Sequence, residues 1–290
     1  MEPHAGVVQE GIGVTRCPQA ALLIVAMSAL ASAQSVRTGK TPGGIAYDVR
    51  GSGPVVILLS GSNLDRRMWN REAAWLSKTH TVVRYDLRAH GESETATVPF
   101  SMLGDLLGVM DALTIQKASL IGLSAGSTIA LDAALEVPDR IGRIVLAGPA
   151  PSGYMPSKPL PFVPDMMAAL KAADYKRVAE VLLATSVFAS PPDAQPLVRQ
   201  MVTENDKMWT VRRDLMLAPK PALNRLESVR APTLVLIGDK DEFQSEPAEM
   251  LAKRIPGARL VRIAGGGHLL NLTSPVEFQS AVAAFLAGKP

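Results

Sequence analysis

The chain has 290 residues, 47% of them apolar and 20% charged, enough to bury a substantial core in one large domain or in a domain with an insertion. A formal net charge of +3 with no Lys/Arg run leaves no electrostatic footprint for nucleic acid. The single cysteine, Cys17, excludes a disulfide scaffold and a Cys-based zinc site.

The first element is an apolar run that begins at residues 20–27, after Arg16, and ends at Ala31-Ser32-Ala33 before Gln34. A basic residue, a short apolar stretch and a small-x-small site together predict a secretory signal over 1–33, cleaved after Ala33, and hence a periplasmic or secreted protein. The run is short of the ~20 apolar residues a transmembrane helix needs, so no stable membrane span is expected after cleavage. Residues 1–15 carry Glu2 and Glu10 and exceed what such a leader requires, which places the expected translation start nearer Val14. Cys17 falls within the signal, so the mature chain is expected to hold no thiol nucleophile.

Residues around 36 to 50 read as an antiparallel hairpin closed by Gly51-Ser52-Gly53-Pro54. Short β-branched runs follow at 55–59, 81–85, 118–121, 143–146, 233–237 and 259–263, alternating with helical stretches. Most are nearly continuous apolar segments, as strands covered on both faces must be. The pattern predicts an α/β fold with a mostly parallel, eight-stranded sheet flanked by helices. Between about 150 and 230 the strand rhythm stops, and prolines separate helical stretches near 165–173, 175–185 and 194–206. This predicts a helical cap inserted into a core made of 34–149 and 231–290. Met166, Met167, Leu170, Leu182 and Leu183 within it either pack on the core or line an apolar pocket, and both roles are compatible.

Gly122-Leu123-Ser124-Ala125-Gly126 follows the apolar run at 118–121 and opens a helical run from Ser127 to Glu136. A sharp strand-to-helix turn exposes a serine oxygen, and the flanking glycines relieve crowding there, so Ser124 is the candidate nucleophile. A serine needs a base. His4 precedes the cleavage site, His80 reads as a polar loop position, and His90 is expected to order its loop. His268, after Gly265-Gly266-Gly267 and beyond the last strand, is the candidate base. The acid that orients it belongs at the end of the preceding strand, where Asp241 is the choice and Asp239 the substitute. The candidate oxyanion donors are the backbone N–H groups of Ser62 and Ala125. Trp69 is expected to pack the following helix.

With these residues in place the chain resembles the α/β-hydrolase superfamily, and residues 51–148 are similar to the 3-oxoadipate enol-lactonase and serine esterase group. Gly51-Ser52-Gly53-Pro54, Ser60-Gly61 with Trp69, the run from Arg84 to Ser93, the serine pentapeptide, Gly238-Asp239-Lys240-Asp241 and Gly265-Gly266-Gly267-His268 carry the resemblance together. It implies hydrolysis of an ester or lactone through an acyl-enzyme on Ser124. Two departures stand out. Ser60 replaces a histidine that in the family helps to order the oxyanion loop, and Ala89 replaces a glycine.

Serine at 124 separates the chain from dehalogenases and epoxide hydrolases of this fold, which use aspartate. Perhydrolase and carbon–carbon bond hydrolase chemistry use an equivalent triad and stay open at this point, as does a non-catalytic ligand-binding member of the fold. An apolar insertion without a basic cluster favours a small or medium uncharged ester, while Arg66 and Arg67 either bind a substrate carboxylate or sit in solvent. No ligand spacing for a metal and no dinucleotide or P-loop fingerprint occurs, so no cofactor is expected.

Overall fold

The computed structural model describes residues 36–157 and 159–288, together with Met1, Glu2 and Gly6. The rest of the expected signal, its cleavage site and Cys17 lie outside the described residues.

Eight strands form one sheet: β1 (Arg37–Lys40), β2 (Ala46–Arg50), β3 (Val55–Leu59), β4 (Thr81–Tyr85), β5 (Ala118–Leu123), β6 (Ile141–Ala147), β7 (Thr233–Gly238) and β8 (Arg259–Ile263). Their order is β1-β2-β4-β3-β5-β6-β7-β8, antiparallel at β1-β2 and β2-β4 and parallel elsewhere. The helices are α1 (Asn70–Leu76), α2 (Met102–Ala112), α3 (Ala125–Glu136), α4 (Val163–Lys171), α5 (Tyr175–Leu183), α6 (Gln195–Glu204), α7 (Ser245–Arg254), α8 (Leu270–Thr273) and α9 (Pro275–Leu286).

One expectation is corrected. The hairpin turn between β1 and β2 is residues 41–45, closed by the Gly44 N–H on Thr41 O at 2.9 Å. Gly51-Ser52-Gly53-Pro54 instead carries the chain from β2 to β3, and β4 lies between those two strands. Gly51 is required there: φ is +79°, and a Cβ would lie 2.1 Å from His80 O.

The alternation of a strand sends neighbouring side chains to opposite faces, and the two faces of this sheet hold separate apolar layers. Ile57, Leu59, Val83 and Leu120 pack with Leu106 of α2, Ile129 of α3 and Leu251 of α7. Val56, Leu58, Val82 and Ile121 pack on the other face with Leu76 of α1 and Phe278 of α9. Trp69 is fully buried there, its ring 6.0 Å from that of Phe278 of α9.

Between β6 and β7 the chain forms α4, α5 and α6. Asp174 caps α5 by accepting the Arg177 N–H at 2.9 Å, satisfying an amide that the first helical turn leaves free. Ala169, Val178, Leu182, Val198 and Met201 from these helices join the second apolar layer. The inserted helices thus share a core with the sheet, next to the ends of β3 and β5.

Candidate active site

Ser124 sits between β5 and α3 with φ +54° and ψ −117°, a conformation an L-residue rarely adopts. Its neighbours hold it there. The Ser124 N–H donates to Ala147 O at 2.9 Å, and its carbonyl accepts the Ser127 N–H at 2.9 Å and the Ser127 hydroxyl at 2.6 Å. The two glycines of the pentapeptide are explained by backbone approach. A Cβ on Gly122 would lie 2.3 Å from Gly126 C, and one on Gly126 would lie 2.1 Å from Leu59 O. The turn therefore closes only with both side chains absent, and α3 starts with its N-terminus at the serine.

His268 and Asp241 are both buried, and His268 Nδ1 lies 2.7 Å from Asp241 Oδ2. A carboxylate oxygen accepts, so Nδ1–H donates and Nε2 is left as the ring's acceptor. Asp239, two residues earlier, is exposed, and its N–H is used on Ile263 O. Of the two acids, Asp241 is the one the fold brings to the histidine. His268 and Ser124 line the same cavity of about 180 Å³, with Met166, Leu182, Phe188 and Trp209 from the inserted segment. Met167, by contrast, is exposed.

Gly148 was not singled out in the sequence. It follows β6 with φ +49°, and a Cβ there would lie 2.9 Å from His268 Nδ1 and 3.2 Å from Asp241 Oδ2. The only sequence signal was a glycine directly after an apolar strand. Gly61 is similarly close to the nucleophile, where a Cβ would stand 3.4 Å from Ser124 Cβ.

The Ser62 and Ala125 N–H groups donate to no protein acceptor among the described residues. Both residues border a second cavity, of about 440 Å³, and Ser62 borders the first cavity too. An unpartnered amide pair beside a serine, at the start of a 12-residue helix, can receive the negative charge that develops on a carbonyl oxygen under attack.

The loop that holds Ser62 is ordered from outside itself. His90 Nε2 accepts the Asn63 N–H at 3.1 Å, and His90 Nδ1 lies 2.9 Å from Arg88 O. Burial pushes the His90 ring below the usual histidine range, which keeps it neutral and Nε2 free to accept. Ser60 is fully buried and its hydroxyl has no hydrogen-bond partner. Ala89 takes φ +61°, so the loop keeps a left-handed residue even without glycine.

Asn205, just past α6, is a second tie that the sequence did not disclose. Fully buried, it accepts the Gly91 N–H at 2.6 Å and donates to Asn63 O at 3.3 Å and Asp65 Oδ2 at 3.2 Å. Arg66 and Arg67 are half-buried and their guanidinium groups are taken up by carboxylates of the chain itself. Arg66 pairs with Asp86, with Glu92 and, at 3.4 Å, with Asp48, and Arg67 pairs with Asp65 and Glu204, each at 2.7 Å. Among the described residues no helix is long and apolar enough to cross a membrane, and no group of three or more His, Cys, Asp or Glu is placed to hold a metal ion.

Known proteins align with this geometry. The family profile described as "Alpha/beta hydrolase family" matches residues 56–281. A protein of Caulobacter segnis that carries the name carbamate hydrolase RutD is 30% identical over 273 residues, covering 87% of this chain and 99% of its own length. Among solved structures, the enol-lactonase from Burkholderia xenovorans LB400 has a TM-score of 0.73 and 26% identity over 87% of this chain and 100% of its own. A thermophilic esterase from Thermogutta terrifontis has a TM-score of 0.72 and 25% identity, covering 88% of this chain and 98% of its own.

Proposed function

The chain belongs to the alpha/beta hydrolase family, and from that premise we propose that it is a serine hydrolase cleaving a carboxylic ester or lactone through an acyl-enzyme on Ser124. The observation that carries the reading is the His268–Asp241 hydrogen bond at 2.7 Å, with His268 and Ser124 on one cavity.

In this mechanism Ser124 Oγ attacks the carbonyl carbon while His268 Nε2 takes the hydroxyl proton, and Asp241 holds the imidazolium. The Ser62 and Ala125 N–H groups receive the oxyanion. Collapse breaks the bond to the leaving oxygen, which departs as an alcohol with the proton from His268. Water, deprotonated by the same nitrogen, then attacks the acyl carbon, and Ser124 recovers its proton as the acid leaves. In a lactone the alcohol stays tethered to the acyl group. The carbamate hydrolase name of a relative fits the same chemistry, with nitrogen as the leaving atom. The inserted segment, which supplies Met166, Leu182 and Phe188 to the cavity, acts as a cap over the reacting carbonyl. The proposal includes export through residues 1–33, supported by the apolar run and the Ala31-Ser32-Ala33 site.

A fluorophosphonate probe tests the nucleophile. The folded protein is expected to label rapidly, Ser124→Ala not at all, and His268→Ala far more slowly. Absence of labelling on folded wild-type protein overturns the catalytic reading and favours a ligand-binding member of the fold.

A further inference from the structure

The 440 Å³ cavity bordered by Ser62 and Ala125 runs along one face of α3, past Thr128, Ile129 and Asp132 to Glu136, and Lys220 also lines it. The spacing of i, i+3, i+4 and i+7 from Ala125 is that of a single helix face. At 1.5 Å per residue, Asp132 stands roughly 10 Å along the helix from Ala125. The wall is mostly apolar, with Met102 and Leu103 of α2 and Ile129 of α3, and Ser101 and Thr128 are among its polar side chains.

Asp132 is almost fully buried, 5% exposed, yet only half of its carboxylate is used. Oδ1 accepts the Ser152 hydroxyl at 2.7 Å, and Ser152 Oγ accepts the Ala222 N–H at 2.9 Å, so that oxygen belongs to a structural relay. No protein donor reaches Oδ2 among the described residues. Glu136, one turn further on, differs: Arg225 Nη1 lies 2.7 Å and Lys220 Nζ 3.7 Å from its carboxylate. Burial pushes the Asp132 carboxyl up to about 6, a cost that a neutral asparagine in the same relay would avoid.

We propose that this cavity binds the chain of an ester or lactone substrate that ends in a protonated amine, with Asp132 Oδ2 as its counter-ion. The inference rests on the serine-hydrolase reading for what happens at the carbonyl and on this cavity for what is held. It replaces the uncharged ester expected from composition with an elongated, apolar, cation-tipped one. A chain of roughly 10 Å spans from the oxyanion amides to the carboxylate, and a charge-assisted hydrogen bond in an apolar site discriminates strongly against a neutral end.

The test is calorimetric and needs no turnover, so its outcome is separable from that of fluorophosphonate labelling. Octylammonium, octan-1-ol and octanoate are titrated at pH 7.5 into Ser124→Ala protein, with and without Asp132→Asn. Asparagine retains an acceptor for Ser152 and removes the charge. Octylammonium is expected to bind at least about tenfold more tightly than octan-1-ol, with octanoate weakest. In the Asp132→Asn background the ammonium-to-alcohol ratio is expected to fall to about one. Equal or tighter binding of octan-1-ol to the parent protein overturns the proposal, as does a preference for the ammonium that survives Asp132→Asn.

Discussion

His90 Nε2 accepts the Asn63 N–H at 3.1 Å, so a ring on the loop after β4 orders the loop after β3 that presents Ser62. Ser60 stands where the resembling family places a histidine, and its buried hydroxyl makes no hydrogen bond. The ordering of this loop comes from His90 and Asn205 instead.

His90→Ala leaves the buried Asn63 N–H without an acceptor and frees the neighbouring Ser62 amide to move. The expected effect on ester hydrolysis is a fall in kcat of between about 10- and 100-fold, less than outright loss of an oxyanion donor costs. His90→Gln, whose carbonyl can accept the same N–H, recovers part of the rate. Unchanged kcat in His90→Ala protein of normal stability contradicts the role given to the ring.

Asp241 and Asp239 differ in burial and in partner, and the proposed mechanism uses only the first. Asp241→Asn reverses the tautomer preference at His268 and is expected to lower kcat by roughly 10⁴-fold. Asp239→Asn, at an exposed position, is expected to stay within about twofold of wild type. Steady-state kinetics on any hydrolysed ester reads both, and a larger loss at 239 than at 241 reverses the assignment.

Gly148→Ala introduces a Cβ 2.9 Å from His268 Nδ1 at a residue with φ +49°. The left-handed backbone costs about 1–2 kcal/mol, and displacement of the imidazole is expected to reduce kcat/KM by roughly 100-fold. Thermal melting and kinetics on the same preparation give both quantities. Loss of stability with activity intact shows that His268 is not displaced.

Glu72 predicts a pH-dependent stability. It is buried on α1 with Oε1 lacking a partner, and burial pushes its carboxyl from 4.5 up to about 7. Between those two values the folded chain retains a proton that the unfolded chain has released. This contribution therefore makes stability fall as pH rises from about 4.5 through 7, by roughly 3 kcal/mol. Glu72→Gln removes the titration and is expected to flatten that part of the profile and to be the more stable form at pH 8. Urea denaturation at pH 5 and pH 8 checks this, and parallel profiles for the two proteins rule it out.

What could be read from the sequence was local in origin. The buried parallel strands are nearly continuous apolar runs, and the turn at Ser124 needs two flanking glycines because β3, β5 and α3 meet backbone to backbone, so both left marks within a few residues. The hairpin turn was misplaced because β4, distant in sequence, lies between β2 and β3. The same physics limits the site. Ser124, Asp241 and His268 could be nominated from their positions after strands, but which acid reaches the histidine depends on how the turn after β7 folds against Gly266 and Ile263. His90 on Asn63, Asn205 across two loops, Gly148 under the imidazole and Asp132 on the wall of a mostly apolar cavity join residues 27 to 142 positions apart or depend on a space walled by several elements. Periodicity carries no trace of such contacts, because each residue type satisfies its own helix, strand or loop equally well without its distant partner. The sequence by itself determined the order of the elements and the residue types able to do the chemistry; the tertiary structure decided which of them meet, because only packing sets distances between groups far apart along the chain.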